Sequence, residues 1–189
     1  MRILLTIFLL LTSGVTMANE EKTAIFAGGC FWCMQPPFDN AEGVISTKAG
    51  YIGGDVENPT YEQISSGRTG HAEVILVTYD PALITYDKLL DIFWKNIDPT
   101  VENRQFCDVG SQYRTGIFYL DDEQKSAAIK SKEKIAADYD MKIVTEITKA
   151  AEFYEAEGYH QDYYLTNPLR YKLYKDGCGR DDRLKEVWD

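Results

Sequence analysis

Positive charge is scarce in this chain: 20 lysines and arginines stand against 30 aspartates and glutamates, a formal net charge of −10. A polyanion would be repelled, which excludes nucleic acid as a partner and disfavours an anionic membrane surface. Histidine is scarcer still, with two residues, and no CxxH or HxxxH accompanies the four cysteines. Cys107 and Cys178 lie far apart instead of forming a second close pair beside Cys30 and Cys33, so structural zinc spacing is missing. Repeats, low-complexity segments and Ser/Pro-rich linkers are also absent. Residues 19–189 are therefore expected to form one catalytic-size domain.

Apolar runs of membrane-spanning length are lacking as well. The first residues, MRILLTIFLLLTSGVTMA, have a charged start at Arg2, a short apolar run from Ile3 to Leu11 and small residues reaching Ala18. This is the layout of a secretory signal peptide covering residues 1–18, with cleavage expected after Ala18. The run is too short for a permanent span and no cysteine follows it for lipidation, so no stable membrane anchor is expected. The mature chain is expected to be exported, to the periplasm or beyond. Four cysteines in an exported chain permit structural disulfides, but a domain of this size does not need them to fold, and the thiols are free to be chemical.

What is present is a core: 44% of residues are hydrophobic, with three tryptophans, thirteen tyrosines and eight phenylalanines. TAIFAGG, from Thr23 to Gly29, reads as a buried strand entering a tight turn, and residues from Cys30 on as a helix. Pro36 and Pro37 oppose that helix, which is expected to kink or stop after one good turn. Strands follow at Gly43 to Gly54 and Ala72 to Asp80, then an amphipathic helix from Ile84 to Ile97 capped by Thr85. A strand from Thr115 to Leu120, a solvent-facing helix from Asp121 to Tyr139 and a strand from Lys142 to Ile147 complete the pattern. The order predicts an α+β two-layer sandwich with a ferredoxin-like split βαβ core. Beyond Ile147, a long irregular tail with seven aromatic residues is expected to wrap over the sheet and carry Cys178 back to the body.

GGCFWCM, residues 28–34, carries the strongest chemical signal. Cys30 at a helix start meets unsatisfied N–H groups that favour its thiolate, and Gly28 and Gly29 allow a sharp reversal that leaves the sulfur accessible. Cys33, one turn on, could close a disulfide with it. Phe31 and Trp32 would set apolar rings beside the sulfur. Glu73, on a strand face with Ile75, Val77 and Tyr79, is either a desolvated proton donor or a strand-end carboxylate in water. Asp108 and Tyr113 precede a strand, where sites are commonly built. Asp108, Tyr113, Tyr61 and His160, each taken singly, read as structural.

GCFWC, GYIGG, NPTYE, GRTGHAE, FCDVGSQYR, HQDYY and NPLRY, in this order, resemble the type A peptide methionine sulfoxide reductases over nearly the whole mature chain. That resemblance implies reduction of the S epimer of methionine sulfoxide, free or in proteins, with no metal and no organic cofactor. It implies Cys30 as nucleophile and Phe31 and Trp32 as the pocket for the substrate methyl. Glu73, Tyr61 and Tyr113 would hold the oxygen, with Glu73 as proton donor and Asp108 orienting its neighbours. A sulfenic acid on Cys30 would condense with a resolving thiol, Cys178 by slight preference, Cys33 close behind or as an intermediate, Cys107 less readily. A thioredoxin-like donor would then reduce the disulfide. Oxidised methionine and that donor are the expected partners of a monomer. Two rivals are a plain thiol–disulfide oxidoreductase and a non-catalytic methionine-binding module, neither of which needs Glu73, Tyr61, Asp108 and Tyr113.

Overall fold

The first strand, β1 (Lys22–Gly28), alternates in side-chain direction so that Ala24 and Phe26 face one layer while Ile25 and Ala27 face the other. The structure, a computed structural model, describes residues 20–189. The expected signal peptide, residues 1–18, lies outside the described residues, as does Asn19. After β1 come α1 (Phe31–Asp39), β2 (Val44–Ile52), α2 (Tyr61–Ser65), β3 (Ala72–Tyr79) and α3 (Tyr86–Lys95). A small hairpin of β4 (Arg104–Gln105) and β5 (Asp108–Val109) leads through a 3-10 turn at Ser111–Tyr113 into β6 (Thr115–Tyr119). Then follow α4 (Asp122–Asp138), β7 (Glu146–Lys149), β8 (Tyr154–Glu155), α5 (Tyr163–Thr166), α6 (Pro168–Gly177) and α7 (Arg180–Trp188).

The main sheet has the order β7-β6-β1-β3-β2-β8. Its four central strands, β6-β1-β3-β2, are antiparallel, and α1 and α3 provide the two crossovers of a ferredoxin-like split βαβ core. On one face Phe26, Ile75, Val77 and Ile117 pack beneath Phe31, Met34 and Phe38 of α1 and Leu89, Leu90, Phe93 and Trp94 of α3. On the other face a smaller cluster of Ile25, Ile52, Val74 and Phe118 is covered by Ala150 and Phe153, where the chain crosses from the β7 edge to the β8 edge. Gly50 permits that crossing, since a Cβ there would stand 2.3 Å from the Phe153 ring.

Three elements differ from the sequence-based expectation. Helix α1 runs through Pro36 and Pro37 to Asp39 without stopping after one turn. Each proline removes a backbone donor, but Phe38 stacks on Phe26 with ring centres 5.2 Å apart, and both Asn40 nitrogens donate to Pro36 O, so packing and capping override local preference. The strand expected from Lys142 begins four residues later, because Val144 N–H is spent on Pro99 O, outside the sheet. The tail is irregular only to His160 and then forms α5, α6 and α7. Pro168 starts α6 and Gly179, with φ +67, separates it from α7. Helix α6 buries no residue completely, so it lacks the apolar periodicity by which a helix is read from sequence.

Candidate functional site

Cys30 occupies the N-cap of α1 and Cys33 its third residue, both as free thiols and both buried, with 6% and 5% of their surface exposed. Gly29, at φ +80, makes the reversal that delivers them. A Cβ at Gly28 would meet Met34 Sδ at 2.5 Å, and one at Gly29 would meet Gln105 Cβ at 2.5 Å, so the glycine pair also brings these neighbours against the turn.

Glu73 lies on β3 directly under the helix start. Its carboxylate accepts a hydrogen bond from Phe31 N–H at 3.1 Å and only 2% of the residue is exposed. Burial lifts its pKa from an ordinary 4.5 to about 8, with the Phe31 bond opposing and the charges of Asp108 and Cys33 adding to the rise. Near neutrality Glu73 is a neutral acid.

Tyr61 opens α2, whose N-cap Thr60 and Gln63 form a capping box; its N–H donates to Glu157 Oε1 at 2.7 Å. Tyr113 ends the 3-10 turn before β6. Burial pushes the Tyr61 phenol up to about 12 and raises Tyr113 further, and Glu73 and Cys30 act electrostatically on both. Both phenols are therefore protonated donors around Cys30 and Glu73. Asp108, on the β4–β5 hairpin, accepts from Tyr174 Oη at 2.5 Å, and burial raises its carboxyl against the pull of that bond and of Arg180.

The aromatic wall is partly buried Trp32, stacked on Tyr163 at 3.8 Å and edge-on to Tyr174, with Phe31 behind it against Tyr51 and His160. Trp32 Nε1 donates to His160 Nδ1 at 3.1 Å. The His160 proton therefore sits on Nε2, which is buried without a hydrogen-bond partner and 3.9 Å from Glu157 Oε2. Burial holds His160 below its ordinary pKa, so the ring is neutral and fixes the indole. His71 accepts from Gly54 N–H at 3.1 Å and pairs with Val56 O at 2.8 Å, anchoring the loop that leads to Tyr61.

Two sequence expectations need correction. The Cys30 sulfur is not open: Tyr174 of α6 reaches it with a hydrogen bond and covers it. Nor does the helix start make Cys30 the acidic thiol. Burial pushes it well up, and its hydrogen bond with Cys33 and the Glu73 carboxyl add to the rise. Cys33 is instead held below its ordinary value by the bond from the Cys30 thiol and by the charge of Arg180, against the push of burial. In this closed arrangement Cys33 is the more acidic of the two buried thiols.

Cys178, at the end of α6, is bonded to Cys107 of the hairpin as a disulfide. Cys33 is thus the thiol beside Cys30, while Cys178 is already engaged. Sequence reasoning missed Tyr171, Tyr174 and Arg180. Asn167-Pro168 followed by tyrosines three residues apart was the available signal for a helix presenting both rings on one side.

The peptide methionine sulfoxide reductase family model matches residues 22–189. A Bacillus subtilis protein described as peptide methionine sulfoxide reductase MsrA is 49% identical over 174 residues, covering 91% of this chain and 98% of its own. Among solved structures, reduced Mxr1 from Saccharomyces cerevisiae superposes with a TM-score of 0.76 at 34% identity, covering 80% of this chain and 88% of that one. Mxr1 in complex with Trx2 superposes at 0.56 and 26% identity, covering 77% and 86%.

Proposed function

The chain belongs to the peptide methionine sulfoxide reductase family, and from that premise we propose that it reduces the S epimer of methionine sulfoxide through Cys30 and Cys33 in exported proteins. It is an oxidoreductase that uses thiol chemistry. The observation that carries the finer reading is a buried dithiol packed against a neutral Glu73 and two protonated tyrosines.

A sulfoxide is a poor electrophile until its oxygen is protonated or strongly hydrogen-bonded, so the site must supply an acid and a nucleophile together. When substrate displaces Tyr174 from the mouth, the Cys30 sulfur attacks the sulfoxide sulfur, and its thiol proton replaces the one that Glu73 gives up. Glu73 gives its proton to the oxygen, with Tyr61 and Tyr113 donating hydrogen bonds. Phe31 and Trp32 hold the methyl group. Oxygen passes to Cys30: sulfoxide and thiol become methionine and a sulfenic acid. Cys33 then attacks that sulfenic sulfur, the S–O bond breaks, and one water leaves as the Cys30–Cys33 disulfide forms. A dithiol donor reduces this disulfide by exchange and is itself oxidised. The yeast Mxr1–Trx2 complex supports a thioredoxin-like donor, and the signal-peptide layout of residues 1–18 supports an exported one.

Turnover of the separate S and R epimers of a methionine sulfoxide peptide with dithiothreitol tests the reading. The mature protein should reduce the S epimer alone, and Cys30→Ser should lose at least about a thousandfold, the scale on which an essential nucleophile is felt. Insulin reduction without sulfoxide turnover would replace this reading with that of a disulfide exchanger.

A further inference from the structure

Arg180, the first residue of α7, is buried to 3% exposure on the side of the helix layer that carries the dithiol. Its guanidinium donates to Asn96 O at 2.6 Å and reaches Met34 Sδ at 3.0 Å and Gly28 O at 3.5 Å, while the Phe106 ring lies 4.4 Å away. Gly28 and Met34 flank the Cys30–Cys33 turn, so the charge is anchored to both ends of the reactive segment. Every one of these contacts is neutral. Among the described residues no carboxylate forms an ion pair with Arg180, whereas Arg183, one turn on, pairs with Asp98 at 2.8 Å. A buried cation among neutral neighbours is costly unless an anion offsets it. The groups its charge acts on include the Asp108 carboxyl, which is bonded to Tyr174, and the Cys33 sulfur.

We infer that Arg180 is a positioning residue for the second half of the reaction, the buried counter-ion that holds Cys33 as a thiolate aimed at the Cys30 sulfenic acid. The inference rests on the reductase reading above. Cys33 is faced by the Cys30 thiol at the helix start, Tyr171 and Lys175 of α6, Asp108 of the hairpin, Glu73 of β3 and Arg180 of α7. Lys175 is paired with Asp181 at 2.9 Å, Tyr171 is neutral and Glu73 is protonated, which leaves Arg180, whose charge is shared with Asp108 without a direct ion pair, as the cation nearest to free. The step it serves is balanced: the Cys33 thiolate attacks the sulfenic sulfur, the departing hydroxide takes the Glu73 proton to become water, and both sulfurs end in the disulfide.

The test uses the mature chain with Cys107→Ser and Cys178→Ser, so that Cys33 alone can resolve. The reduced protein is mixed with an S-epimer methionine sulfoxide peptide without reductant. Methionine release, dimedone-trapped sulfenic acid and Cys30–Cys33 disulfide are then followed in time. Arg180→Met should release one equivalent of methionine at close to the parent rate yet form the disulfide at least about tenfold more slowly, with trappable sulfenic acid accumulating; Arg180→Lys should restore the parent rate. Arg180→Gln keeps an amide donor toward Asn96 O and removes only the charge, so it carries the test even where Arg180→Met does not fold. In a Cys30→Ser background, iodoacetamide alkylation of Cys33 should shift its pH midpoint upward in Arg180→Gln and much less in Arg180→Lys. Disulfide formation at the parent rate in Arg180→Gln, or an equal loss in Arg180→Lys, overturns the inference, as does sulfenic acid accumulating in the parent. No methionine release from the parent overturns the reductase reading itself.

Discussion

The two cysteine pairs of this molecule differ in nearly every respect that governs thiol chemistry. Cys30 and Cys33 sit one helical turn apart, buried and free, among Glu73, Asp108, Arg180 and four tyrosines. Cys107 and Cys178 are 71 residues apart in sequence, bonded to each other, with Cys107 exposed on a hairpin. The first pair gains its character from what surrounds it; the second gains its effect from what it connects. Its disulfide ties the hairpin carrying Asp108 to the helix carrying Tyr174, the two residues that meet over Cys30. Sequence offset alone would have suggested the reverse: a close pair made to bond and a distant pair left free.

The sharpest way to break the comparison is to remove the acid that distinguishes the buried pair. Glu73→Gln keeps an acceptor for Phe31 N–H but has no proton to give, and should slow methionine release by about a hundredfold or more. In the unaltered protein, release should fall about tenfold per unit as pH rises through about 8, where Glu73 ionises, and this limb should vanish in the variant. The stability sign is opposite to that of a salt-bridged carboxylate. Below pH 4.5 Glu73 is protonated folded and unfolded; between about 4.5 and about 8 the unfolded chain loses the proton while the folded one keeps it. Stability falls across that window, so Glu73→Gln should gain about 3 kcal/mol at pH 7 in urea unfolding. An inactive variant that is also more stable would mark Glu73 as a group retained for chemistry.

Removing the other pair should do the opposite, leaving the chemistry while weakening the fold. Cys178→Ser opens a closed loop of about 70 residues, for which loop-closure entropy predicts a loss of up to about 4 kcal/mol. Urea midpoints measured without reductant should fall, while midpoints in dithiothreitol should match those of the unaltered protein. Methionine release in a single turnover should be unchanged, and the Cys30–Cys33 disulfide should still form. Sulfenic acid accumulating in this variant would give the resolving role back to Cys178.

Much of this arrangement is legible in the sequence where the signal is local. Period-two alternation sets Glu73 on the buried face with Ile75 and Val77, and Thr85 caps α3 by accepting from Lys88 N–H at 3.2 Å. The same reading fails where long-range packing decides. Pro36 and Pro37 stay helical because Phe38 is held by Phe26, and the Cys33 thiol, held down first by its bond with Cys30, is lowered further by Arg180 near the far end of the chain. Helix α6 carries Tyr171 and Tyr174 to the site on a surface with no apolar stripe. No local pattern announces that a C-terminal helix closes over an N-terminal thiol.

The smallest effect probes the bridge between the two pairs. Tyr174 Oη donates to Asp108 Oδ2 and also bonds Cys30, while its ring stands edge-on to Trp32 with centres 5.8 Å apart. Tyr174→Phe keeps the ring and its packing and removes only the hydroxyl, so α6 should stay in place but hold less tightly. Loss of one hydrogen bond to a partly buried carboxyl should cost about 1 kcal/mol in urea unfolding. Cys30 should become a few-fold faster to alkylate, because its cover opens more often, a gain that outweighs the loss of a hydroxyl bond that favours its thiolate. With the disulfide removed by Cys178→Ser, the same substitution should speed alkylation by more than the product of the two separate factors, since both act on one helix and the effects of coupled sites do not simply add. Strict additivity would instead mean that the staple and the tyrosine hold α6 independently, and that closing the site is not a task the two cysteine pairs share.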